Sequence, residues 1–162
     1  MRVYRLPLSA MRLTAYTDYA LRTLMYVAQH RERLVTIQDI ADAQGIAKNH
    51  LTKVVNHLAQ LGYLETVRGR NGGLRLAREP EQINVGQVVR ATETDFHMAA
   101  CFQPSDKSCA FLPHCALKHT LTQAAQAFLA VLDAATLAQM LTRAPARTSA
   151  VRLKPRAKPE PA

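Results

Sequence analysis

Residues 36–78 read TIQDIADAQGIAKNHLTKVVNHLAQLGYLETVRGRNGGLRLAR, and this stretch decides the fold. Thr36-Ile37-Gln38-Asp39 forms a weak capping box with Asp in the Glu/Gln place. It opens a helix that runs through Ile40 and Ala41 and stops before Gly45. From about Lys48 to Leu61, Leu51, Val54, Val55, Leu58 and Leu61 recur at helical spacing, and Gly62 ends that helix as a C′ glycine. Beyond Gly62 the period falls to two. Tyr63–Arg68 and Leu74–Arg78 both alternate, and Gly69-Arg70-Asn71-Gly72-Gly73 joins them, which predicts a β-hairpin with a glycine-rich tip. Helix, turn, helix and hairpin in that order make a winged helix-turn-helix pattern, in which the helix after the turn enters the major groove.

Outward from this stretch, Ala20, Leu21, Leu24, Met25 and Ala28 predict a first helix over 17–29, with Thr17 or Asp18 as its N-cap. A further helix is expected from Val85 to about Glu93, then a loop over roughly 94–118. A long helix follows over about 119–142, where Leu121, Ala125, Phe128, Leu132, Ala135 and Met140 form an apolar stripe that nothing in so small a chain is left to cover. The expected class is therefore mainly α with a small β-hairpin wing. Residues 11–93 would be the winged domain. Residues 1–10, without periodicity and ahead of a second plausible start at Met11, form an extension. From Pro145 onward prolines alternate with Lys and Arg, so 143–162 reads as a disordered basic tail.

Composition narrows the function. Among 162 residues, 48% are hydrophobic and 20% charged, enough to bury a core. Mean hydropathy is -0.12, and no apolar run approaches the roughly 20 residues of a membrane helix. No secretory signal opens the chain, so a cytoplasmic protein is expected. The net charge of +9 is the electrostatic footprint of a chain that meets phosphates. Much of it lies at the ends, where residues 143–162 carry six basic residues against one acidic.

On the helix after the turn, the face away from the apolar stripe carries Lys48, Asn49, His50, Thr52, Lys53 and Asn56. Asn pairs with adenine through two hydrogen bonds, and Lys reaches guanine or a phosphate. At the hairpin tip Arg68 and Arg70 suit a narrow minor groove, while Gly72 and Gly73 let the backbone come close to a sugar-phosphate wall. Arg12, ahead of the first helix, joins this set. A polar helix face that only meets water, and a tip chosen for its dihedrals, is the plainer alternative. A basic tip directly after such a helix favours duplex DNA.

Cys101, Cys109 and Cys115 are spaced C-x7-C-x5-C in a polar, irregular stretch. An odd number of cysteines argues against a disulfide framework. Three thiolates can converge on zinc or an iron–sulfur cluster, although the spacing matches neither common zinc modules nor ferredoxins. Three unrelated thiols remain the alternative. No fourth cysteine exists; His97, His114 and His119 lie nearby and Asp18 is remote in sequence. A thiol-dependent redox enzyme is a distant reading, since the chain has no C-x-x-C pair and no nucleotide loop.

Several segments together resemble the Rrf-two family of bacterial iron–sulfur winged-helix regulators. These are Met11-Arg12-Leu13-Thr14, Asp18-Tyr19-Ala20-Leu21-Arg22, Val67-Arg68-Gly69 with Gly72-Gly73, Ile83-Asn84-Val85-Gly86-Gln87-Val88-Val89, and the three-cysteine loop. The resemblance spans about 11–142, and Tyr16-Thr17-Asp18-Tyr19-Ala20-Leu21 with Ala100-Cys101-Phe102 look most like its nitric-oxide-sensing repressors. It implies a homodimer crossed through the last helix, with each 94–118 loop near the partner's DNA-binding domain. It also implies that Cys101, Cys109 and Cys115 ligate a cluster, [4Fe-4S] favoured over [2Fe-2S], with Asp18 of the partner subunit as fourth ligand. In some members a histidine three residues after the last cysteine is a ligand; here Lys118 stands there and His119 one further, which favours Asp18. The first two cysteines, usually four or five residues apart, are separated by seven. A regulator of the same fold that senses iron or cluster supply is the rival reading.

Overall fold

The computed structural model describes residues 12–105 and 109–141. The extension at 1–10, Met11 and the tail at 143–162 lie outside the described residues. Among the described residues, six α-helices and one hairpin follow in chain order: α1 (Ala15–Gln29), α2 (Ile37–Gln44), α3 (Lys48–Gln60), β1 (Leu64–Val67), β2 (Gly73–Leu76), α4 (Val85–Thr92), α5 (Ala116–Asp133) and α6 (Leu137–Leu141). The mainly helical class with a β-hairpin wing is therefore correct.

Around α2 the local signals act as read. Thr36 accepts from the Asp39 N–H while Asp39 accepts from the Thr36 N–H, a complete capping box. Gly45 ends α2 at φ 66° and Gly62 follows α3 at φ 71°, both in the left-handed region that favours glycine. Leu24, Ile40, Leu51, Val54, Val55 and Leu58 are fully buried and pack α1, α2 and α3 into one core. In the wing, β1 and β2 pair antiparallel with Leu64 opposite Leu76 and Val67 opposite Gly73. Val35 adds a third short edge through bonds in both directions with Leu74, at 3.0 and 2.7 Å. Gly73 makes that edge possible, because a Cβ there would stand 2.9 Å from both Leu34 Cβ and the Val35 carbonyl.

Two expectations need correction. The N-cap of α1 is Thr14, whose hydroxyl accepts from the Thr17 N–H at 3.3 Å. Thr17 is fully buried and Asp18 sits a turn inside the helix, so neither caps it. The long helix expected over about 119–142 instead starts at Ala116 and breaks after Asp133, with α6 following. A long-range lock causes the break. Arg90 grips both oxygens of Asp133, and Asn84 donates to the Asp133 carbonyl at 2.6 Å. Gly86, lacking a Cβ, leaves room for the Asp133 backbone and carboxylate. The chain then bonds back to 83–85, and Leu137 enters the core with 1% of its surface exposed.

No residue of α5 is fully buried, and the apolar stripe is only partly screened. Ala125, Phe128 and Leu132 line a cleft of about 490 Å³ shared with Leu21, Val89 and Phe96. What stays open is another line of the helix, where Leu117 and Val131 are 65% and 71% exposed, and nearby in sequence Phe111 is 77% exposed.

Candidate nucleic-acid interface and cysteine centre

Burial of Leu51, Val54, Val55 and Leu58 turns the other side of α3 outward, so Lys48, Asn49, His50, Thr52, Lys53 and Asn56 are all exposed. Thr52 donates its hydroxyl to the Lys48 carbonyl at 2.9 Å, and Asn49 Oδ1 accepts from the His50 N–H at 2.9 Å. The Asn49 amide keeps its two N–H donors for a base edge. His50 leans toward Tyr19, with ring centroids 6.3 Å apart. Arg68 and Arg70 project at the wing tip. Gly69 turns the chain there at φ 116°, and Gly72 closes the turn by donating to the Gly69 carbonyl at 3.0 Å. Gly72 is thus fixed first by the turn's own geometry, and Gly73 by the approach of Leu34 and Val35.

Charge pairing separates two kinds of cation. Arg75 is held by Glu65 through two bonds at 2.9 and 3.0 Å, Arg33 by Asp39, Arg31 by Glu79 and Arg90 by Asp133. The Arg75 guanidinium holds the Glu65 carboxyl below the usual range, and Arg90 does the same to Asp133. Among the described residues, the Lys and Arg side chains with no hydrogen-bond or ion-pair partner are Arg12, Lys48, Lys53, Arg68 and Arg70. Four of the five sit on α3 and the wing tip. Arg12 stands apart, ahead of α1, at the cleft lined by Leu13 and Phe96.

The cysteines occupy the excursion between α4 and α5. Cys101 lies in a 3-10 turn, Ala100–Phe102, and Cys115 is the N-cap of α5, its Sγ accepting from the Lys118 N–H at 3.4 Å. The Cys109 carbonyl accepts from the Leu112 N–H at 3.2 Å. All three thiols are free and half-buried. Residues 106–108 lie outside the described residues, and among the described residues no three His, Cys, Asp or Glu side chains are gathered closely enough to hold a metal. In chemical kind the donor set still fits an iron–sulfur cluster, since three unbridged soft sulfurs share one excursion and none is locked in the core. Asp18 is half exposed on α1 and paired with Arg22 at 3.3 Å, outside any cysteine group of its own chain. His97, His114 and His119 are exposed, and the His97 N–H donates to Asp95.

The profile of the Rrf2 family, described as Iron-dependent Transcriptional regulator, matches residues 13–143. The chain belongs to the Rrf2 family. It is 51% identical over 132 residues to the HTH-type transcriptional regulator NsrR of Bacillus licheniformis, covering 81% of this chain and 92% of that one. Its fold is similar to that of T. potens IscR, with a TM-score of 0.66 at 27% identity, over 88% of this chain and 96% of that one. CymR, the global cysteine regulator of B. subtilis, shares the fold at a TM-score of 0.66 and 22% identity, over 82% and 97% of the two chains. Relatives of this Rrf2 chain are transcriptional regulators, which sets aside the redox-enzyme reading.

Some residues of this Rrf2 chain that link loop to helix escaped the sequence reading. Glu93, the last residue before the cysteine excursion, accepts from both the N–H and the hydroxyl of Thr14, at 2.8 and 3.3 Å. Thr14 caps α1, and two residues on Tyr16 Oη meets His57 Nδ1 at 3.0 Å and the Lys53 carbonyl at 3.5 Å. Burial pushes the Tyr16 phenol above its ordinary pKa, so it stays protonated and able to donate. Nothing in local pattern signals a bond between positions 79 apart.

Proposed function

We propose that this chain is a cytoplasmic, homodimeric, DNA-binding repressor that senses nitric oxide through an iron–sulfur cluster. Cys101, Cys109 and Cys115 would hold the cluster, [4Fe-4S] before [2Fe-2S], with Asp18 of the partner subunit as fourth ligand. The observation that carries DNA binding is the set of unpaired cations: Lys48, Lys53, Arg68 and Arg70 lie on α3 and the wing, while the cations beside them are neutralised in pairs. The sensing half is supported by the three free thiols and by the family resemblance of Tyr16–Leu21 and Ala100–Phe102.

When bound, the cluster supplies iron that reacts with nitric oxide. The protein's own residues supply the coupling. A 94–115 excursion held by its three thiols fixes Glu93, and Glu93 fixes Thr14 at the start of α1. Through Tyr16, α1 bears on Lys53 and His57 of α3. Across the dimer, the open Leu117 and Val131 of α5 would seat a second copy. Two recognition helices must then stand about 34–36 Å apart to enter successive major grooves. An excursion no longer held lets α1 and α3 shift, and that spacing is lost.

The test uses anaerobically purified full-length protein and a duplex selected on it from a random pool. Nitric oxide in small excess over iron should lower affinity at least tenfold at fixed salt, whereas a chelator over the same interval should not. Unchanged affinity after nitric oxide would overturn the reading, and loss on chelation alone would favour the iron-supply rival.

A further inference from the structure

Lys118 bonds two of the three cysteines at once. Its backbone N–H donates to Cys115 Sγ at 3.4 Å, and its Nζ donates to the Cys101 carbonyl at 2.7 Å. The same ammonium stands 5.7 Å from the centre of the Phe102 ring, a cation–π distance, and the side chain is half-buried. One residue in the first turn of α5 therefore straps the 3-10 turn carrying Cys101 onto the helix end carrying Cys115.

We infer that Lys118 is a positioning residue that sets the outer two thiols of the triad before any cofactor arrives. This rests on the reading of Cys101, Cys109 and Cys115 as one ligand set. Holding Cys101 and Cys115 together removes closure entropy that assembly would otherwise have to supply. Lys118 also brings a positive charge to a place where three thiolates would gather. It has no role on α3 or the wing, so its loss should not touch the DNA-binding surface directly. Groups that orient ligands from behind in this way set how firmly a centre is held.

Lys118→Met keeps the apolar stem against Phe102 but removes donor and charge, and Lys118→Arg keeps both. In metal-free, reduced full-length protein, alkylation of Cys101 by iodoacetamide, compared on the high-pH plateau where the thiol is fully ionised in both proteins, should be at least about fivefold faster in Lys118→Met, the factor that one modest hydrogen bond represents. Cys115, whose Sγ keeps the backbone N–H of residue 118, should change less. Lys118→Arg should restore the slower rate, and the melting temperature of Lys118→Met should fall by no more than the few degrees that one hydrogen bond represents. In the loaded protein, iron loss to a chelator should accelerate by a similar factor. Equal alkylation rates in Lys118→Met and the unmodified chain would overturn the strap. Faster alkylation with unchanged iron loss would overturn its positioning role. If the unmodified chain binds no iron and sulfide at all, the cluster reading fails, and the alkylation arm still decides the strap alone.

Discussion

Replacing Arg68 by Gln should change how DNA affinity depends on salt by a calculable amount. Five cations per chain lack partners among the described residues: Arg12, Lys48, Lys53, Arg68 and Arg70. If every one meets a phosphate in both subunits of a dimer, about ten contacts give a slope of log Kobs against log salt near −9. Arg68→Gln removes two contacts per dimer, so the slope should fall in magnitude by about 1.8. Between roughly 50 and 200 mM salt, the affinity ratio of unmodified to variant protein should then narrow by about twelvefold. Arg75→Gln is the control, since Glu65 already occupies that guanidinium through two bonds. Fluorescence anisotropy on one labelled duplex across a salt series reads both slopes. An unchanged slope in Arg68→Gln, or an equal change in Arg75→Gln, would refute the division of cations into paired and free.

Gly73→Ala should destabilise the protein by about 1–3 kcal/mol, as overpacking does, because a Cβ would press on Leu34 and Val35; an unchanged thermal midpoint would contradict the three-edged wing. Asp18→Asn should leave stability within about 0.5 kcal/mol, since Asp18 is exposed and not the cap, yet alter cluster absorbance and weaken operator binding. Matching spectra and affinities would remove Asp18 from the ligand set and turn attention to His114 and His119. The Asp39 carboxyl lies below its ordinary value of 3.8, chiefly through the Thr36 N–H and then Arg33. Its contribution is therefore full above that value and lost as pH falls through the lowered one. Asp39→Asn should be less stable at pH 7 with a shallower acid limb in urea titrations, and parallel limbs would refute this.

Where a structural decision is local, the sequence carries it. The Thr36/Asp39 box, the left-handed Gly45 and Gly62 and the switch from period 3.6 to period 2 after residue 62 all stand as read. Where the decision is made across the fold, pattern fails. The sequence offers Thr17 or Asp18 to start α1, whereas Thr14 starts it, with its N–H donating to Glu93, 79 positions away. Helical periodicity runs on through Ala135, but Arg90 and Asn84 seize Asp133 and the helix ends there. The three cysteines are visible in the sequence as a candidate set; the contacts of Lys118 with two of them are not, because a lysine in a first helical turn is ordinary until its Nζ is placed on the Cys101 carbonyl.

The most direct test is anaerobic native mass spectrometry of the full-length protein, with and without stoichiometric nitric oxide. The expected species is two chains carrying two clusters, each with four iron and four sulfide, and its mass should change on nitric oxide while the dimer persists. Each of Cys101→Ala, Cys109→Ala and Cys115→Ala should give a folded dimer without the cluster mass. A dimer carrying zinc, a bare dimer, or any cysteine variant that retains full iron and sulfide would contradict the cluster-bearing repressor.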